Sequence, residues 1–198
     1  MQHLEYLSKD KRLKKIIDLQ EPYILELGKK IYLQLTYSIL SQQLSTKVAK
    51  VLRHRFLHLY GDKEPTPQQI LDTPATVFRS LGFSNAKASY VHNVSRFFIE
   101  NKITDAALHK MSNEEVLDLL TQIKGVGKWT VEMILMFTLG REDIFAIDDL
   151  GLKQSVIKLY KIKETDPKLL REKILKISSK WSPYRTYASR YLWGWKDA

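Results

Sequence analysis

The sequence predicts an all-α protein. Apolar residues recur at helical spacing along most of its 198 residues, cap or proline start signals precede many of those runs, and no stretch alternates convincingly enough for strands. Leu13 to Leu19 reads as a helix that ends before Glu21-Pro22. Ile31, Leu33, Leu35, Ile39 and Leu40 belong to a mostly buried helix whose end carries Ser41-Gln42-Gln43-Leu44-Ser45. Ser45 caps the next helix, which turns Val48, Val51, Leu52 and Phe56 inward and stops at Gly61. Thr66-Pro67 and Thr73-Pro74 each place an N-cap before a proline at the first helical position, which implies two short helices. Leu81-Gly82-Phe83-Ser84 turns into a helix with Ala86, Val91, Val94 and Phe97 inward. Ser112-Asn113-Glu114-Glu115 is a capping box opening a helix with Val116, Leu117, Leu119 and Leu120 on its apolar side. Val131, Ile134, Leu135 and Thr138 mark the inward face of its successor, which stops at Gly140, and Asp166-Pro167 and Ser182-Pro183 start the last two helices. About eleven helices result.

Composition narrows the partner. The chain carries 32 Lys+Arg against 22 Asp+Glu, a formal charge of +10, which favours a polyanion and salt-sensitive binding. With 44% hydrophobic residues it can bury a core as one domain or two small lobes. It has no cysteine, which excludes disulfides, thiolate metal sites and a cysteine-ligated iron–sulfur cluster. Met1-Gln2-His3-Leu4-Glu5 lacks a signal-peptide core, and the apolar stretch around Met133 to Leu139 is too short to span a bilayer. A soluble intracellular protein is expected, in the cytoplasm or nucleoid, or in the nucleus of a eukaryote.

Two local patterns carry chemistry. Ile123-Lys124-Gly125-Val126-Gly127-Lys128-Trp129-Thr130 sets two glycines between a helical run and a fresh apolar helix, a helix-hairpin-helix pattern. Its glycines permit positive φ and leave no Cβ in the way, so a phosphate can approach the N–H groups that start the second helix. The same turn also serves as a plain helix cap, and the motif alone leaves both readings open. Farther on, Asp148 and Asp149 precede the helix of Leu150-Gly151-Leu152-Lys153. One carboxylate can cap that helix while its neighbour faces a substrate, held ionised by nearby N–H groups and suited to stabilising a developing cation or orienting water. His54 and His58 stand one helical turn apart but lack a third metal ligand, so they read as part of a solvated basic face.

The order of capped helix, Lys124-Gly125-Val126-Gly127-Lys128-Trp129-Thr130 and then Asp148-Asp149-Leu150 resembles the helix-hairpin-helix DNA glycosylases. Within them the chain is similar to the alkyladenine, or 3-methyladenine DNA glycosylase II, branch. That likeness rests on Trp129 twenty residues before Asp149, on Ser41 to Ser45, and on Tyr184-Arg185-Thr186-Tyr187-Ala188 leading to Trp193. It runs from about residue 30 to the C-terminus, and the chain looks like the compact form, without the β-rich N-terminal domain of larger bacterial members.

The resemblance implies two helical lobes with a DNA- and base-binding cleft between them, here 1–33 plus 145–198 and 34–144. It implies Asp149 as the catalytic carboxylate, with Asp148 a structural partner. Gly125, Val126 and Gly127 with Lys124 and Lys128 would contact DNA phosphate, in many members with a monovalent cation on hairpin carbonyls and no other cofactor. Gln43 would fill the gap left by an extruded nucleotide. Trp129, Trp193 and Met133 would line the base pocket. Met133 stands where some relatives place a tyrosine and Gly194 where one has an aromatic, so the pocket is expected to be more open or repacked. Tyr37, Phe83, Tyr187 and Tyr191 are alternative walls or core.

In bifunctional relatives a lysine at the position of Trp129 forms a Schiff base with the sugar, which tryptophan cannot do. The implied activity is therefore a monofunctional glycosylase that flips alkylated purines such as 3-methyladenine and 7-methylguanine out of double-stranded DNA and removes them in base excision repair, acting as a monomer. The alternatives are a lyase-competent enzyme using a displaced lysine and a non-catalytic binder of damaged or bent DNA.

Overall fold

The computed structural model describes residues 1–197. Those residues form thirteen α-helices and one 3-10 turn and no strand. Among them no helix is long and apolar enough to cross a membrane. Two compact units result, Gly28–Ile134 in the centre of the chain and Met1–Leu27 together with the chain from Leu135 onward. Both divisions fall earlier than the 33 and 145 expected from sequence, and the second lies inside a continuous helix, α10 (Lys128–Phe137). A unit boundary within an unbroken helix has no turn signal to mark it.

The central unit is built on α7 (Asn85–Glu100), which packs against α3 (Ile31–Ser41), α5 (Pro67–Asp72) and α6 (Ala75–Ser80). Ser84 caps α7 by accepting from the Lys87 amide, and Ala88, Val91, Val94 and Phe98 are its buried face. Val91 and Val94 face inward as expected, whereas Ala86 is exposed and Phe97 only half-buried, with Ala88 and Phe98 taking their places. Phe56, Phe78 and Phe83 stack in the core, with Phe78 and Phe83 centroids 5.5 Å apart. In α4 (Thr46–His58) Leu52 and Phe56 are buried; Val48 and Val51, expected inward, are 45% and 44% exposed beside Lys47 and Lys50.

Thr66 forms a reciprocal capping box with Gln69 at the start of α5. Thr73 does not cap its successor; it ends α5 and returns its hydroxyl to the Gln69 carbonyl. Two short helices escaped the sequence reading, α1 (Gln2–Leu7) and α8 (Asp105–Lys110). The second matters for the fold, because Asp105 accepts from the amides of Lys30 and Ile31 and so caps α3 from a distant part of the chain.

In the terminal unit α2 (Lys11–Ile17) packs on α11 (Leu150–Tyr160) and α13 (Arg185–Asp197). Its anchor is Asp10, which caps α2 through the Arg12 and Leu13 amides and accepts from the Tyr160 hydroxyl and the indole of fully buried Trp181. Burial pushes the Asp10 carboxyl up, but these donors outweigh it and hold the group below the usual carboxylate range. Asp166-Pro167 opens α12 (Pro167–Ser178) as expected. Ser182-Pro183 does not open the last helix: α13 starts at Arg185, and Ser182 instead donates to Asp143, which Arg185 clamps with two nitrogens.

Candidate active site

The hairpin joins α9 (Asn113–Leu120) to α10. Ser112 and Glu115 close the expected capping box, and buried Ile123 and Val126 pin the turn to the core. The two glycines do different things. Gly125 takes φ of +105°, and a Cβ there would lie 2.2 Å from Cγ of Tyr90, so ring and backbone meet where only glycine fits. Gly127 is not in the left-handed region, and a Cβ on it would meet nothing within 4 Å. It leaves open space at the start of α10, the end of a helix whose N–H groups suit an anion. The Val126 amide, expected among the phosphate donors, is committed to the Ile123 carbonyl at 2.9 Å, so Val126 serves as an apolar anchor. Lys124 and Lys128 are exposed on either side, and Lys128 lies 3.9 Å from Glu132.

The carbonyls of the turn are braced from behind. Asn93 donates to Lys124 at 3.1 Å and Gln42 donates to Gly125 at 3.3 Å. A carbonyl oxygen has two lone pairs, so one such donor does not exhaust its capacity as an acceptor. Gln42 also belongs to the link between α3 and α4. There Gln43 is exposed and holds φ of +59°, a left-handed conformation costly for a side chain with a Cβ, and Ser45 caps α4 through the Val48 amide. The tight turn presents Gln43 at its tip.

Asp149, in the terminal unit, is itself the N-cap of α11: Oδ1 accepts from the Leu152 amide at 2.8 Å and from the Trp193 indole at 3.0 Å. Of the two adjacent acids able to cap α11, Asp149 is the one that does. Asp148 is exposed and pairs with Arg171 at 2.5 Å and Lys153 at 3.9 Å, a structural role. Trp193 is half-buried and packs on Phe137, centroids 5.6 Å apart. Gly151 clears the ground for this contact, since a Cβ there would sit 3.1 Å from the Asp149 carboxylate and 3.4 Å from the Trp193 ring.

The space at Gly194 is already occupied. A Cβ there would come within 2.0 Å of the Gln20 amide oxygen and 2.7 Å of the Tyr23 hydroxyl, and those two side chains hydrogen-bond to each other. Gln20 also donates to the carbonyls of Ile16 and Tyr191, fixing this filling in place. Gln20 and Tyr23 therefore take the room that a side chain at position 194 would need. Trp129 and Met133 lie one turn apart on α10, Trp129 39% exposed and Met133 half-buried. Tyr37, Phe83, Tyr187 and Tyr191 are buried core residues. His54 and His58 stack on each other at the surface, and His58 approaches Asp62 at 3.4 Å.

A helix-hairpin-helix followed by a helix-capping aspartate is matched, over residues 36–180, by the family model of the HhH-GPD superfamily base excision DNA repair proteins. The chain belongs to that superfamily. It is 35% identical to the DNA-3-methyladenine glycosylase 1 of Schizosaccharomyces pombe over 96% of this chain and 84% of that one. A putative DNA-3-methyladenine glycosylase of Bacillus subtilis is also 35% identical, but this HhH-GPD chain, with 78% of its own length aligned, spans only 55% of that relative. Among solved structures, the S. pombe 3-methyladenine DNA glycosylase in complex with abasic DNA superposes with a TM-score of 0.87 at 31% identity, covering 100% of this chain and 98% of that one. A DNA-3-methyladenine glycosidase of Bacillus halodurans gives 0.82 at 31% identity, covering 96% and 87%.

Sequence reasoning missed several residues of this HhH-GPD chain that brace the hairpin in one unit and the surroundings of Gly194 in the other. Tyr90, Asn93 and Lys87 brace the hairpin and the α3–α4 turn from α7, and Gln20 and Tyr23 fill the space beside Gly194. The spacing of Lys87, Tyr90 and Asn93, three residues apart each time, was the one available signal, and it reads as an ordinary polar helix face until the turn beneath it is placed.

Proposed function

We propose that this protein is a monofunctional DNA glycosylase that extrudes alkylated purines, 3-methyladenine and 7-methylguanine among them, from double-stranded DNA and hydrolyses their N-glycosidic bond. The observation that carries the reading is Asp149, whose Oδ1 is fixed by the Leu152 amide and the Trp193 indole at the start of α11. The S. pombe and B. subtilis relatives bear the name of this activity, and the S. pombe structure is bound to abasic DNA.

The chemistry follows from the substrate. An alkylated purine carries a positive charge, so when the bond from C1′ to the base nitrogen breaks, the electron pair leaves with the purine as a neutral base. The cation then left on the sugar is stabilised by the Asp149 carboxylate. Water adds to C1′, loses a proton, and leaves an abasic site. Trp129 offers the cationic base an electron-rich face, a contribution of about 1–2 kcal/mol when desolvated. It has no amine, so no Schiff base forms at that position and the strand stays intact. Gly127 and the lysines flanking the hairpin hold a backbone phosphate, Gln43 enters the gap left by the extruded nucleotide, and Met133 of the central unit and Trp193 of the terminal unit are each assigned a contact to the base. A monovalent cation on the hairpin carbonyls would add positive charge at the phosphate.

The test is release of free base from methylated duplex DNA by the wild type and by Asp149→Asn, scoring abasic sites and strand breaks separately. Asparagine keeps the oxygen that accepts from Leu152 and Trp193 but removes the charge. Release of 3-methyladenine by wild type without strand breaks, and binding without release by the variant, are the expected results. Borohydride trapping of wild type on DNA would overturn the monofunctional assignment, and equal release by both proteins would overturn the role of Asp149.

A further inference from the structure

We propose that α7 is a positioning rack that fixes the span between the Gln43 tip and the hairpin, with Lys87 and Asn93 as its positioning residues; the inference rests on the roles given to that tip and hairpin above. Both anchored segments are within the central unit. Lys87 donates to the carbonyls of Leu40 and Gln42, at 2.8 and 2.9 Å, in the chain leaving α3. These are groups that a helix end leaves without intrahelical partners, and a cation is favoured there. One turn along α7, the Tyr90 ring lies beneath Gly125, and one turn farther Asn93 holds the Lys124 carbonyl. Lys87, Tyr90 and Asn93 therefore form one stripe of a single rigid helix. Gln42 closes the loop, since its backbone is held by Lys87 and its side chain holds Gly125.

Lys87 serves this purpose rather than phosphate binding. It is half-buried, no carboxylate pairs with it among the described residues, and burial pushes its amine below the usual lysine range. Its donors point at backbone, whereas Lys124 and Lys128 are exposed. The left-handed φ at Gln43 persists only if its surroundings over-determine it, and Lys87 is bonded to the residue immediately before it. A nucleotide is extruded when the phosphate grip and the inserted side chain act at a set separation. Loosening the rack therefore weakens extrusion and leaves bond cleavage alone.

The experiment uses Lys87→Met and Asn93→Ala in the full chain, checked first for wild-type thermal unfolding. Single-turnover release of 7-methylguanine is compared between a paired duplex and one with the lesion opposite an abasic site, where extrusion costs less. Lys87→Met is expected to lose about tenfold on the paired duplex and less than about twofold opposite the abasic site, with Asn93→Ala showing the same pattern more weakly. A loss of equal size in both contexts overturns the rack. So does a fall of about one in the number of counterions released on binding, since Lys87 would then be a phosphate contact.

A second arm needs no chemistry: 2-aminopurine beside a tetrahydrofuran abasic analogue should brighten on binding wild type and respond less to Lys87→Met at saturation. Equal brightening by both overturns the proposal. No base release by wild type, with the fluorescence difference intact, would reject the glycosylase activity and leave the rack standing.

Discussion

In the central unit the groups proposed for DNA are the hairpin backbone and the exposed Gln43, Lys124 and Lys128 side chains, and the backbone there is held by neutral amides and a lysine reaching carbonyls from behind. In the terminal unit the group proposed to react, Asp149, is a charged side chain, and it is held by an aromatic N–H, a helix start and close-packed rings. A phosphate grip must follow a mobile polymer and works through amides that need only the right backbone path, so glycines and braced carbonyls suffice. A carboxylate that stabilises a short-lived cation must already be aimed when charge develops, so its oxygen is fixed by two donors. The two units thus differ in what they hold rigid: a path in one, an atom in the other.

That contrast can be broken by substitutions of graded effect. The largest is Asp149→Asn, which should lower base release by about 10²–10³-fold with unfolding temperature little changed, because the cap and the indole contact keep their acceptor. A comparable loss of stability would mean that the charge serves the fold. Next come the two hairpin glycines. Gly125→Ala drives a Cβ into Tyr90 at φ of +105° and should cost about 3 kcal/mol of stability in urea denaturation. Gly127→Ala meets nothing and should leave stability within about 0.5 kcal/mol while weakening DNA binding, as read by anisotropy titration. Equal behaviour of the two would remove the distinction between structural and binding glycine.

Trp193→Phe keeps a ring against Phe137 and removes only the donor to Asp149. The expected result is about a tenfold fall in kcat with KM near that of wild type, and an unchanged kcat would show that the indole bond does not aim the carboxylate.

The smallest effect is acid sensitivity of the terminal unit. Asp10 and Asp143 both have carboxyls held below their ordinary value of 3.8. In Asp143 burial opposes this, while hydrogen bonds from Arg185 and Ser182 and the guanidinium charge outweigh it. A depressed native value means stability that is complete above the unfolded-state value and is lost as pH falls toward the native one. Urea midpoints measured from about pH 5 down to about pH 2 should therefore drop, and Asp143→Asn should flatten the drop.

What the sequence alone determined was what local spacing can encode. The all-helical class, the cap at Thr66, the capping box at Ser112, the proline start at Pro167, the stop at Gly140, the hairpin and the Asp148-Asp149 pair before a helix all lie in short windows where side chain and neighbouring backbone interact directly. The tertiary structure decided what depends on partners far along the chain. It turned Val48 and Val51 outward, gave Ser182 to Asp143 rather than to a helix start, and put the Gln20 and Tyr23 side chains beside Gly194. It also divided the glycines, because Gly125 is compelled by a tyrosine on α7 and Gly127 by nothing that touches it. Helical periodicity names the residues able to face inward or bind, but the packing of other elements against them settles which of them do, and for what purpose.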